Sequence, residues 1–69
     1  MTPDEIKSAR QQLGLSVAEF ARMLDTDPQT IRRMEQSPTA KTFRKPAPRM
    51  ERLIRAYDQG YRPADWPFS

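Results

Sequence analysis

The sequence contains no cysteine and no histidine. Without cysteine there is neither a disulfide frame nor thiolate chemistry, a profile that suits the cytoplasm. Without histidine the commonest general base and metal ligand is missing. Glycine is scarce, with two residues, and no Gly-rich phosphate loop, internal repeat or low-complexity run is present. No apolar run approaches the roughly 20 residues that a membrane span needs. The opening MTPDEIKSARQ has neither the basic nor the apolar region of a signal peptide. The expectation is a soluble cytoplasmic protein with no membrane association. At 69 residues the chain makes one domain, and a domain this small buries only about 60% of the surface its unfolded form exposes. Little room is left for a catalytic cavity. The carboxylates at Asp4, Glu5, Glu19, Asp25 and Asp27 are scattered and read as helix caps and first-turn charges rather than an acid/base pair. No enzyme, catalytic residue, metal site or cofactor is expected.

What the chain has is positive charge in one place. Residues 1–28 hold five acids and three bases, residues 29–55 hold eight bases and two acids, and residues 56–69 hold two acids and one base. A basic stretch within a small domain is either a solvated face or the electrostatic footprint of phosphate neutralisation.

The stretch Ser16 to Glu35, SVAEFARMLDTDPQTIRRME, organises the rest. Ser16 caps a helix and Glu19 completes a capping box, with Leu15 and Phe20 placed for a hydrophobic staple. This helix runs from about Val17 to Leu24. Asp27 then caps the next helix, with Pro28 at its first position, where the N–H that proline lacks has no partner anyway. In that second helix Ile31 and Met34 share one face. Gln29, Arg32, Arg33 and Gln36 recur at i, i+3, i+4 and i+7 on the other. A short helix with that outward face fits the DNA major groove, where arginine pairs with guanine and glutamine with adenine. The alternative for Arg32 and Arg33 is a pair of solvated charges. Thr30 reaches a phosphate or is a surface threonine, and Ala21 sits where the two helices must pass closely.

Earlier in the chain Thr2 and Glu5 form another capping box, with Ile6, Ala9 and Leu13 at helical spacing up to Gly14, so a helix spans about Pro3 to Leu13. The proline-bearing segment Ser37 to Ala47 carries Lys41, Arg44 and Lys45, whose natural partners are backbone phosphates. An arginine of such a loop can also enter a narrow minor groove. Phe43 among them reads as an anchor onto the core. From Pro48 to about Gln59, Met50, Leu53, Ile54 and Tyr57 give a last helix an apolar stripe, closed by Gly60. Arg49, Arg52 and Arg55 line another side, which reads first as a solvated face with Glu51 as local counter-charge and otherwise as a DNA contact, with Arg49 the best phosphate candidate of the three. The tail YRPADWPFS either folds back to cover the core or uses Trp66 and Phe68 in a dimer or partner contact.

The segment from Ile6 to Glu35, with weaker support to Tyr57, resembles the helix-turn-helix of the Cro/CI-like (XRE) family of bacterial and phage regulators, in its small phage or mobile-element form. Ala21, Ile31 and Met34 match buried positions of that family. The resemblance implies an all-α, compact, lambda-repressor-like domain of four or five helices over residues 1–60, with the helix-turn-helix at about 16–35 and a tail at 61–69. It also implies an internal salt bridge between Arg10 and Glu35, where the residues alone leave Arg10 equally readable as a surface arginine. Three positions depart from the family. Asp25 stands where glycine is usual for a left-handed backbone, Val17 replaces a polar residue that often meets a phosphate, and Pro28 replaces one that can touch a base. Readout then falls to Gln29, Arg32 and Arg33, with Thr30, Lys41, Arg44, Lys45 and Arg49 on phosphates. The function expected is a sequence-specific regulator that binds double-stranded DNA, a homodimeric repressor on a palindromic operator. The alternative is a protein-interaction module on the same frame, such as an antitoxin holding its toxin.

Overall fold

The computed structural model describes residues 1–67, and Phe68 lies outside the described residues. Four helices follow in order: α1 (Pro3–Gln12), α2 (Val17–Met23), α3 (Pro28–Met34) and α4 (Pro48–Asp58). No strand occurs among the described residues, and no helix among them is long and apolar enough to cross a membrane.

The helix starts are set by short-range hydrogen bonds. The Thr2 amide donates to Glu5 Oε1 at 2.7 Å and the Glu5 amide to Thr2 Oγ1 at 3.2 Å. At α2 the Ser16 amide donates to Glu19 Oε1 at 2.8 Å and the Glu19 amide to Ser16 Oγ at 3.1 Å. Each box satisfies two N–H groups that a helix start leaves open. Proline stands at the first position of α1, α3 and α4.

The helix ends fall one residue before the sequence-based bounds, because Leu13, Leu24 and Gln59 act as C-caps. After each of them the next residue turns left-handed: Gly14 at φ 72°, Asp25 at φ 54° and Gly60 at φ 108°. The following amide then reaches back to close the helix, from Leu15 to Arg10 O at 3.2 Å, Thr26 to Ala21 O at 2.9 Å and Tyr61 to Ala56 O at 3.0 Å. Asp25 does the work of a glycine in the turn between α2 and α3. Aspartate enters this region more readily than most residues, though not as freely as glycine.

Helix α2 packs on α3, and α1 packs on α4. Between them Ile6, Phe20, Ile31, Met34 and Ile54 are fully enclosed, and Ala21 is 1% exposed where α2 passes the core. Tyr57 is buried and donates its hydroxyl to Met23 O at 3.0 Å, which ties α4 to the end of α2. Loss of solvent pushes the Tyr57 phenol above its ordinary value. The tail returns to this point. The Trp66 ring lies 4.8 Å from that of Tyr57, Tyr61 stacks on Tyr57 at 5.8 Å, and the Arg62 guanidinium sits 4.5 Å over the Trp66 ring. Trp66 thus covers its own core.

Two side chains 25 residues apart join α1 to the end of α3. Arg10 Nε donates to Glu35 Oε2 at 2.8 Å and Nη2 donates to Oε1 at 3.1 Å, a two-pronged pair, while Nη1 donates to Leu15 O at 3.1 Å. The side chains are 13% and 10% exposed, so either charge left alone is poorly hydrated. Arg10→Ala and Glu35→Ala should each lower the unfolding free energy by about 2–4 kcal/mol, and the double apolar variant Arg10→Met/Glu35→Leu by much less. Urea unfolding of the four chains checks this; equal losses in all three variants would contradict it.

Acid should unfold the protein through its caps. The Thr2 amide and then its hydroxyl hold Glu5 below its ordinary 4.5, and the Ser16 amide and hydroxyl do the same for Glu19. A carboxylate whose folded value is depressed stabilises the fold above its unfolded value and loses that contribution as pH falls through the folded one. The melting temperature should therefore decline below about pH 4.5, and less steeply in Glu19→Gln. Parallel acid limbs for the two chains would refute the assignment to Glu19.

Candidate nucleic-acid interface

Helix α3 is set at both ends. At its start Asp27 accepts from the Thr30 amide at 2.8 Å and from the Thr30 hydroxyl at 3.1 Å, and these bonds hold the Asp27 carboxyl below its ordinary range. At its end Glu35 is the C-cap and is gripped by Arg10. Ile31 and Met34 face the core at 0% and 1% exposure. The opposite face is then fixed by geometry, and Gln29 and Arg32 on it are exposed.

Arg33 differs from its neighbours. It is half-buried, and its Nε is enclosed without a hydrogen-bond partner. The cause is the loop of residues 36–47, which folds back along α3. The Arg44 amide donates to Arg33 O at 3.2 Å, and Thr42 Oγ1 donates to Gln36 Oε1 at 2.7 Å. Two tight turns shape the loop, with Ala40 N–H on Ser37 O at 2.9 Å and Phe43 N–H on Ala40 O at 3.1 Å. Phe43 is half-buried and Pro46 buried, while Lys41, Arg44 and Lys45 stay exposed. The loop is anchored by its apolar residues and presents its cations.

The site residues fall into groups. Arg33, Lys41 and Arg44 border one open notch. Thr30, Arg44 and Lys45 border another, between the start of α3 and the start of α4. Arg44 thus joins the reading helix to the loop on both sides. Thr30, expected on a phosphate, already donates both its amide and its hydroxyl to Asp27, so its remaining capacity is as an acceptor. Arg49 is exposed on α4 and borders a different groove, with Arg52. Trp66 packs on Tyr57 and shares none of these notches. Residues the sequence reading left without a role are Gln36 and Thr42. Gln36, expected on the outward helical face, lies just beyond the Glu35 C-cap of α3, and its oxygen is taken by a threonine six positions on.

This arrangement is two helices at a tight turn, the second offering a polar face flanked by a cationic loop. A family model described as helix-turn-helix matches residues 6–58. The chain belongs to the XRE-type helix-turn-helix family. No curated protein and no solved structure matches the chain. The family is one of DNA-binding regulatory domains and not of catalysts, which makes this chain a DNA-binding regulator of the XRE type.

If the Gln36–Thr42 bond holds the cationic loop in place, removing either end has the same effect. Gln36→Ala and Thr42→Val should each weaken DNA binding by about 0.5–1.5 kcal/mol, and the double variant should lose no more than either alone. Anisotropy titrations of the four chains on one duplex measure the coupling. Strictly additive losses would mean that Gln36 touches DNA directly.

Proposed function

We propose that the protein is a sequence-specific repressor that occupies a palindromic operator as a homodimer. The observation that carries this reading is the pairing of an exposed Gln29 and Arg32 on α3 with a hydrogen-bonded loop whose Lys41, Arg44 and Lys45 are exposed. In the bound state α3 lies in the major groove, Gln29 and Arg32 pair with base edges, and Arg33 reads from the flank bordered by the loop. Lys41, Arg44, Lys45 and Arg49 neutralise phosphates, and the Thr30 hydroxyl oxygen accepts at the helix start. Repression is steric: a protein seated across a promoter excludes polymerase, with no covalent step. Two-fold symmetry in the operator mirrors the two-fold of the dimer, and half-sites one helical turn apart let both α3 helices meet the same face of the duplex.

The alternative of a protein-holding module rested on Trp66, Phe68 and the basic residues of α4. Trp66 packs on Tyr57 of its own chain, which favours the DNA reading.

Base readers and phosphate binders separate in a titration. Gln29→Ala and Arg32→Ala should each cost about 1–3 kcal/mol on the preferred duplex and relax the preference at one base pair. Lys41→Ala and Lys45→Ala should weaken all duplexes alike and lower the slope of log affinity against log salt by about one. A loss in Arg32→Ala that is equal on every sequence would overturn its role as a reader.

A further inference from the structure

The turn between α2 and α3 decides the angle at which α3 leaves its neighbour, and the carbonyls at the end of α2 decide the turn. Those of Phe20, Ala21 and Arg22 accept backbone amides, from Leu24 at 3.0 Å, Thr26 at 2.9 Å and Asp25 at 3.3 Å. Met23 O accepts none of these amides. Its partner is the Tyr57 hydroxyl at 3.0 Å, 34 residues further along the chain. Two residues on, Asp25 holds a left-handed φ of 54°, a conformation that costs any residue with a Cβ more than it costs glycine. The turn is therefore braced from α4 next to its most strained residue.

A phenol hydroxyl lies on the long axis of its ring, so the seat of the ring decides whether the hydroxyl meets Met23 O. The tail supplies that seat. Tyr61 stacks on Tyr57 with 10° between the rings, and Trp66 packs against it at 51°. Arg62 holds both in place: its Nη1 donates to Tyr57 O at 2.9 Å and to Tyr61 O at 2.7 Å, and its guanidinium lies over the Trp66 ring. The Trp66 amide closes the tail on Pro63 O at 3.1 Å. None of these residues borders the notches beside α3, so their route to the reading face runs through Tyr57.

We infer that Tyr57 is a positioning residue for DNA reading: its hydroxyl fixes the Met23 carbonyl and with it the α2–α3 turn, and the tail from Tyr61 to Trp66 governs discrimination between duplexes by seating the Tyr57 ring. This rests on the reading role proposed for α3. A paired hydrogen bond to a base edge tolerates little misplacement, whereas the attraction of the loop cations for the backbone tolerates more. Loosening the turn therefore costs specificity before it costs general affinity.

Tyr57→Phe keeps the ring and removes the one donor, so it tests the inference in the full chain. Without DNA, amide hydrogen exchange followed by NMR should show Asp25 and Thr26 exchanging about three- to tenfold faster than in wild type. The Leu13 amide, which closes α1 on Ala9 O at 3.0 Å, should be unchanged. Unchanged exchange at Thr26, or equal acceleration at Thr26 and Leu13, overturns the brace, the second because it reports only a less stable fold. Arg62→Gln, an exposed substitution, should move the same two amides in the same direction; wild-type exchange there overturns the part given to the tail. With DNA, Tyr57→Phe should lower the ratio of affinities for the preferred and a scrambled duplex by about three- to tenfold, with the scrambled duplex bound as before. A full ratio in Tyr57→Phe breaks the link from turn to reading. A wild-type chain with no preference between duplexes would sink the reading proposal, while faster Thr26 exchange in Tyr57→Phe would leave the brace standing.

Discussion

The two-pronged contact between Arg10 and Glu35 is the constraint on which the reading geometry depends. It joins α1 to the residue at which α3 ends and the basic loop begins. Helix α3 has seven residues and would be marginal alone. Its register is held by Ile31 and Met34 in the core and by this ion pair at its end. A misplacement of about 1 Å is enough to cost a positioned group its contact, so in the proposed complex this register is what would keep Gln29 and Arg32 at base edges. The third donor of Arg10, on Leu15 O, extends the same tie to the start of α2, so one guanidinium fixes three segments.

From Glu35 onward the chain behaves as an extension of the reading helix. The Arg44 amide and the Thr42 hydroxyl bind back to α3, and the buried Pro46 leads into α4. The eight bases of residues 29–55 therefore occupy a hydrogen-bonded frame instead of a free strand. Pre-ordering of this kind lowers the entropy lost on binding. In the proposed complex the long-range term brings the protein to DNA, and the held positions of Gln29 and Arg32 would provide the discrimination.

The helix starts were legible in the sequence because caps are local: Thr2 with Glu5 and Ser16 with Glu19 lie three residues apart and meet in any helix that begins there. Helix ends were less so, since Leu13, Leu24 and Gln59 continue the apolar or helical pattern yet serve as caps. The Arg10–Glu35 bond spans 25 residues and came only through family resemblance. What no periodicity could reveal is the path of the loop. Helical spacing places Arg33 and Gln36 outward, but a chain that folds back over α3 encloses Arg33 Nε and takes the Gln36 oxygen. The same limit applied to Trp66, for which the sequence allows a core or a partner contact and which packs on Tyr57 of its own chain.

The central claim is that a held α3 reads sequence while the loop grips phosphates. Selection from a random duplex pool, followed by anisotropy titration of the recovered and a scrambled duplex at several salt concentrations, tests it most directly. The account predicts a recovered palindrome bound at least about a thousandfold more tightly than the scrambled duplex, with the gap persisting as salt rises. Equal binding to both duplexes, collapsing together with salt, would leave only the backbone attraction and contradict the account.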